Sequence, residues 1–178
     1  MVILSFDTSA AHCAVALLSG TGSCDARQEP MKKGQAEALM PMIAQMMGAR
    51  DVAPADLTAI GVGIGPGNFT GLRIAVSAAR AMALALKIPA IGVSSFEMLR
   101  GVDGLTDPAP QLVCLPGPRA SAYVQLFRNR QAHGPAQQID PANPPKDLTL
   151  PQDGSVMGHE ARAIAQALGL APPPILPN

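Results

Sequence analysis

IGVGIGPGNFTGLRIAVSAARAMALALK, residues 60–87, holds a strand, a turn and a helix in sequence. Ile60, Val62 and Ile64 alternate along an apolar strand, and a loop of Gly65, Pro66, Gly67, Asn68 and Phe69 follows. The pattern then predicts a helix from about Thr70, whose hydroxyl is suited to cap it. The glycines of the loop, Gly65, Gly67 and Gly71 among them, permit close backbone approach, so the helix N-terminus is able to offer amides to an anion. A Walker loop is excluded, because Gly71 is followed by Leu72 and Arg73 and stands too far from Gly65. A dinucleotide fingerprint starting at Gly63 and Gly65 fails at Asn68, where glycine or alanine is required.

On a wheel of about 100° per residue, Arg73, Ser77, Arg80 and Lys87 form one narrow polar strip. The remaining arc is apolar over roughly 220°, about twice what a helix lying on one sheet needs. Such a helix is covered on two sides, either inside its own domain or by a partner. Gln35 to Met47 reads as a second helix of this kind, with Leu39, Met40, Met42, Ile43, Met46 and Met47 on a wide arc and Pro41 either kinking it or lying near its start. Four of the nine methionines sit there, and thioethers adapt to irregular or exchangeable surfaces. Two neighbouring helices with surplus apolar surface point to an intersubunit four-helix bundle. Leu39, Met42, Ile43, Met46 and Met47 of the first helix and Ile74, Ala78 and Met82 of the second are its expected interface, with Met46 and Ala78 as outer positions.

The whole chain has 178 residues, enough for one domain or two small ones. A formal net charge of zero and a charged fraction of 15% argue against direct nucleic-acid binding, and four Phe, one Tyr and no Trp leave little for base stacking. Cys13, Cys24 and Cys114 are scattered without metal spacing, as reduced thiols are. No secretion signal is read at the N-terminus, and Ser77 and Arg80 interrupt the longest apolar helix, so no membrane span is expected and the cytoplasm is the expected location.

Before the central stretch, Val2–Phe6 and Cys13–Leu18 read as a hairpin around Asp7, Thr8 and Ser9, and a third strand is expected near Cys24–Glu29. A carboxylate at a strand end followed by hydroxyls either holds a metal-bound phosphate or caps its own turn, and for Asp-Thr-Ser alone the turn is the preferred reading. After the central stretch come a short strand, Ala90–Val93, and a helix capped by Ser94 or Ser95 and running through Leu99. Gly101–Pro110 reads as the joint between two lobes, 1–103 and 104–178. In the second lobe, Leu112–Leu115, Ala120–Phe127 and Ser155–Met157 are candidate strands, Asn129–Gln152 is polar and proline-rich, and Glu160–Leu168 is a candidate helix. The tail APPPILPN is not helical and is expected to be extended or disordered.

Taken together, FDTS with its hairpin, GQAEALMP (34–41), GIGPGNFTGLRI (63–74) and IPAIGVSSFEML (88–99) resemble the TsaB family, formerly YeaZ, of bacterial tRNA threonylcarbamoyladenosine biosynthesis. The match is specific through Leu99 and loose beyond it. PGPRASAY (116–123) replaces the family's usual Asp-Ala-Arg segment, Gln35 stands where histidine is common, and the chain stops short of the usual C-terminal extension. The resemblance implies an α/β, actin-like and Hsp70-like ATPase fold of two lobes. It implies a non-catalytic scaffold, a pseudo-enzyme that pairs through the two apolar helices with the catalytic paralogue TsaD or with itself and recruits the small ATPase TsaE. Asp7, Thr8, Ser9, Gly65, Gly67, Thr70 and Gly71 would then be a vestigial nucleotide or phosphate loop. No cofactor is expected for this chain, any nucleotide belonging to the complex, and tRNA is met only through it.

The residues agree with that role. His12, His133 and His159 are isolated, with no His-x-x-x-His pair, so no metal site is expected. Ser94, Ser95 and Ser121 lack a nucleophile elbow. Two other classes stay open: an active nucleotide-dependent phosphotransferase of the same fold, using Asp7 and the Gly65–Gly71 loop, and a stand-alone homodimeric structural protein.

Overall fold

A computed structural model describes residues 1–20 and 22–171, so the expected behaviour of the tail lies, from residue 172 onward, outside the described residues. Two compact units divide between Ser95 and Phe96, earlier than the joint read from the sequence.

The first unit is a mixed five-stranded sheet. β1 (Ile3–Asp7), β2 (His12–Leu18) and β3 (Cys24–Pro30) form an antiparallel meander, while β4 (Ala59–Gly63) and β5 (Ala90–Val93) run parallel to β1, giving the order β3-β2-β1-β4-β5. α1 (Gln35–Gly48) links β3 to β4 and α2 (Phe69–Leu86) links β4 to β5, as parallel strands need crossover connections. Strand alternation places Leu4, Phe6, Cys13, Val15, Leu17, Ile60 and Val62 in one core. Pro41 lies inside α1 without ending it, and Gly34, at φ 91°, precedes the first turn.

The burial pattern corrects the expected interface. Leu39, Met42, Ile43 and Met47 are 1–6% exposed and fill the first unit's own core. Burying each contributes about 1.5–3 kcal/mol to this unit, and none is left to a partner. Met46, Ile74, Ala78 and Met82 are half-buried, packed in part against the same core with the rest of each side chain open. The reason is the small-residue face of α2: Gly71, Ala75 and Ala79 are buried on the sheet at i, i+4 and i+8, which draws the helix in and leaves room for the larger side chains of α1 beside it. On α2 the exposed apolar residues are Phe69, Ala81, Leu84 and Ala85, beside the exposed polar strip of Arg73, Ser77 and Arg80, and on α1 Met40 is the large apolar residue exposed.

By length and composition α2 could cross a membrane, its 18 residues having a mean hydropathy of 1.4, so Ser77 and Arg80 do not remove that signal. Only 17% of this segment is buried, and what is buried is the small-residue face on the sheet.

α3 (Ser95–Thr106) begins at the last residue of the first unit and belongs otherwise to the second; its path breaks at Gly101, at φ 64°, and resumes as a further turn where the sequence suggested only a joint. β6 (Gln111–Pro116), β7 (Ala122–Arg128), β8 (Gln131–Ala132), β9 (Gln137–Ile139) and β10 (Ser155–Gly158) form a second sheet in the order β10-β6-β7-β8, with β9 also paired to β7. The proline-rich stretch 129–152 thus supplies two short edge strands. α4 (Ala161–Ala167) covers the sheet with Ala161, Ile164 and Ala165 against Leu112, Cys114, Val124 and Val156.

Burial pushes the Cys114 thiol up to about 12 from 9.0, and the Cys13 thiol is raised by burial and then by Glu29 and Asp7. Because the fold favours the neutral Cys114 thiol, its contribution to stability is complete below pH 9 and is lost as pH rises towards 12. Denaturant midpoints measured across that window should fall. At pH 8 an alkylating reagent should label exposed Cys24 at once, with Cys13 and Cys114 following only on unfolding, as mass spectrometry would show.

Candidate functional site

Two loops meet at the carboxyl ends of β1 and β4, where α/β sheets place ligands. Asp7 closes β1, and its carboxylate accepts hydrogen bonds from the Ser9 amide (3.1 Å) and the Ser9 hydroxyl (3.0 Å). The second carboxylate oxygen also lies 3.0 Å from His12 Nε2 at the start of β2, with the two side chains 13% and 22% exposed. The turn therefore has a carboxylate at its centre and a hydroxyl and an imidazole on either side.

The glycine loop packs directly against this turn. The Thr8 hydroxyl, fully buried, donates to the Gly71 carbonyl at 2.6 Å, and the Asn68 amide donates to the Ser9 carbonyl at 2.5 Å. A Cβ on Gly71 would lie 1.8 Å from the Thr8 carbonyl oxygen, and one on Gly67 would lie 2.4 Å from that of Ser9. These glycines are needed because backbone meets backbone there. The Asn68 side chain accepts from the Gly71 amide at 3.0 Å and caps α2, which begins at Phe69. Thr70 is thus not the cap: it sits exposed in the first turn, already inside the helix, because Asn68, with extended backbone, occupies the capping position. Gly65, whose bond to Pro66 is cis, accepts at its carbonyl from the Ser95 amide at 2.8 Å, while the Ser95 hydroxyl donates to the Pro66 carbonyl at 3.1 Å.

Of the residues read as a phosphate loop, the structure brings Asp7, Thr8, Ser9, Gly67 and Gly71 into one interlocked cluster, with Gly65 tied to Ser95 beside it. The amides of Ser9, Asn68 and Gly71, which an anion would use, already donate within the protein. The Ser9 hydroxyl bonds the carboxylate and not the imidazole, so the order of nucleophile, base and orienting acid is not formed. No group of three His, Cys, Asp or Glu side chains able to hold a metal occurs among the described residues. Sequence reasoning missed His12 and Asn68. The signals were the tight turn that returns His12 to Asp7, and an Asn three residues before a helical glycine.

Asp7→Asn keeps one acceptor for the Ser9 amide and loses the charged partner of His12. The expected cost is about 1–2 kcal/mol, read from chemical denaturation.

A strand meander extended by parallel strands, with crossover helices on one face and a second α/β unit following, defines the actin-like and Hsp70-like class of folds. Residues 29–167 match the family described as TsaD, tRNA N6-adenosine threonylcarbamoyltransferase. A Bacillus subtilis (strain 168) relative, tRNA threonylcarbamoyladenosine biosynthesis protein TsaB, is 34% identical over 145 residues, covering 79% of this chain and 60% of its own. The Escherichia coli (strain K12) protein of that name is 35% identical over 95 residues, or 53% of this chain and 41% of its own. Among solved structures, a Pseudomonas aeruginosa protein with similarity to peptidase YeaZ superposes with a TM-score of 0.74 at 25% identity, covering 96% of this chain and 81% of its own. The Pseudomonas aeruginosa YeaZ structure gives 0.65 at 25% identity, over 84% and 74%. The chain belongs to the TsaB (YeaZ) family, within the wider group that the TsaD description covers. It spans 60% of the length of the Bacillus relative and 41% of the Escherichia one.

Proposed function

We propose that this chain is a non-catalytic scaffold subunit of the machinery that makes N6-threonylcarbamoyladenosine (t6A) in tRNA. In this reading it holds and supports a TsaD-like catalytic paralogue, serves the TsaE-like ATPase as a platform, and self-associates when alone. tRNA reaches it only through the complex, in the cytoplasm, and the chain needs no cofactor of its own.

One observation carries the reading. The Asp7 turn and the Gly67–Gly71 loop, read from the sequence as a vestigial nucleotide or phosphate loop, hydrogen-bond to each other at backbone contact distance. An anion would have to displace bonds made by Ser9, Asn68 and Gly71. The exposed small-residue ridge of α2 supports the partner surface, since alanines let a second helix approach closely.

Reconstitution tests this. Purified alone, the chain should form no t6A; added to a TsaD-like paralogue with the remaining components, it should be required for modification. ATP turnover by the isolated chain would establish the phosphotransferase reading instead. A paralogue that works equally well without the chain would leave the stand-alone homodimer.

A further inference from the structure

We propose that the chain pairs with a second copy of itself along the outer edge of β5, antiparallel and two-fold about Ile91, so that the first units of two copies share one continuous sheet. β3 and β5 are the two edges of the first sheet, and they are built differently. β3 carries Asp25, Arg27 and Glu29 and closes at Pro30; Arg27 is held by Glu29 and by the Gln45 side chain, and Asp25 by Arg50. Charges and a proline are what keep an edge from accepting another strand. β5, Ala-Ile-Gly-Val, contains neither, and Ala90, Ile91 and Gly92 are all exposed.

The bonds to β4 fix which backbone groups of β5 are left over. The Pro89 carbonyl accepts from the Ile60 amide at 2.9 Å and the Val93 carbonyl from the Ile64 amide at 3.0 Å, so residues 89, 91 and 93 turn their backbone groups towards β4. By alternation Ala90 and Gly92 turn both amide and carbonyl outward, where no strand among the described residues meets them. Apolar surface flanks these groups on both faces. A Cβ on Gly92 would lie 2.9 Å from Ile64 Cγ2, so the Ile64 side chain lies over Gly92, while Ile91 points to the opposite face. Ile64 is 50% exposed and Ile91 52%, which leaves apolar area on each side for an added strand to cover.

The occupant that fits is a second β5. Placed antiparallel with Ile91 on the axis, Ala90 stands opposite Gly92 of the other copy, and Gly92 opposite its Ala90. Each pair exchanges two N–H···O bonds, and every outward group of both strands is then satisfied. Ile91 meets its counterpart at the closer position between the bonded pairs, about 4.5 Å between Cα atoms, with no charge on either strand to oppose it. Because the contact is the same patch on both copies, it closes as a dimer and does not run on into a filament. It uses no residue of the α2 surface and does not depend on the scaffold reading.

An edge of four residues makes a weak dimer, so the test runs at high concentration. It uses the Ala81→Glu, Ala85→Glu chain, in which association through α2 cannot contribute, beside the unsubstituted chain. Between about 20 and about 500 µM, sedimentation should show monomer passing to dimer. Amide exchange followed by NMR should slow over that range at Ala90 and Gly92, with Ile91 and Val93, already bonded to β4, unchanged. Ile91→Lys and Ile91→Glu each set like charges face to face on the axis and should weaken self-association about tenfold or more, and mixing the two should restore it as a heterodimer. Ala90 and Gly92 amides that exchange equally fast throughout would overturn the proposal, a measurement that needs no change in β5. A dimer that both single variants leave intact, or a mixture of folded variants that stays monomeric, would overturn it too and leave this edge to a strand from another protein.

Discussion

A chain carrying both Ala81→Glu and Ala85→Glu should remain folded as a monomer and lose capture of a TsaD-like paralogue. Both alanines are exposed on α2, on the same side as Ile74 and Ala78, and the sheet-facing positions Gly71, Ala75 and Ala79 lie elsewhere on the helix. In the free chain the two carboxylates reach water, so the cost to folding is only a fraction of a kcal/mol of helix propensity. Against a second helix they would be stranded without partners, at several kcal/mol, enough to abolish a specific interface. Light scattering gives the mass, circular dichroism the fold, and co-purification the capture. A folded double variant that still dimerises or still captures the paralogue would remove α2 from the partner surface. Met46→Glu, by contrast, puts a charge against Ile43, Met42 and their core neighbours and should destabilise the first unit.

Gly71→Ala should cost about 3 kcal/mol or more, the upper range for overpacking, and unfold the first unit well below the wild-type midpoint. The added methyl would meet the Thr8 carbonyl oxygen at 1.8 Å. Neither side can retreat, because the Thr8 hydroxyl holds the Gly71 carbonyl and the Asn68 side chain holds the Gly71 amide. Thermal unfolding by calorimetry measures the effect, and a variant within 1 kcal/mol of wild type, on the order of a single hydrogen bond, would show the loops to be pliable.

Much of the first unit was legible because its signals are local. Alternation marked β1, β2 and β4, and the strand, glycine loop and apolar helix of residues 60–87 lie in one continuous run. The face of each helix was not legible. A 3.6-residue period says which side chains share an arc, and on α1 and α2 the arc is too wide to say which part meets the sheet. Only the buried line of Gly71, Ala75 and Ala79 settles it, and small residues carry little hydrophobic signal. The site was half legible: Asp7 and the glycines stand out by type, but their closure on each other depends on a pairing 63 residues apart, which no local pattern encodes. In the second unit, residues 129–152 hid β8 and β9 because edge strands of two and three residues are too short to alternate.

That long-range pairing has a consequence for synthesis on the ribosome. β1 and β2 are joined by a tight turn and can pair as soon as they emerge, but the other edge of β1 belongs to β4, and the Thr8 hydroxyl waits for Gly71. Until β4 and then residue 71 have left the exit tunnel, the β1–β2 hairpin carries an open strand edge and an uncovered apolar face, the state in which a chain most readily pairs with the wrong neighbour. The interval before that clamp closes, more than the finished fold, is where mispairing of this unit is favoured.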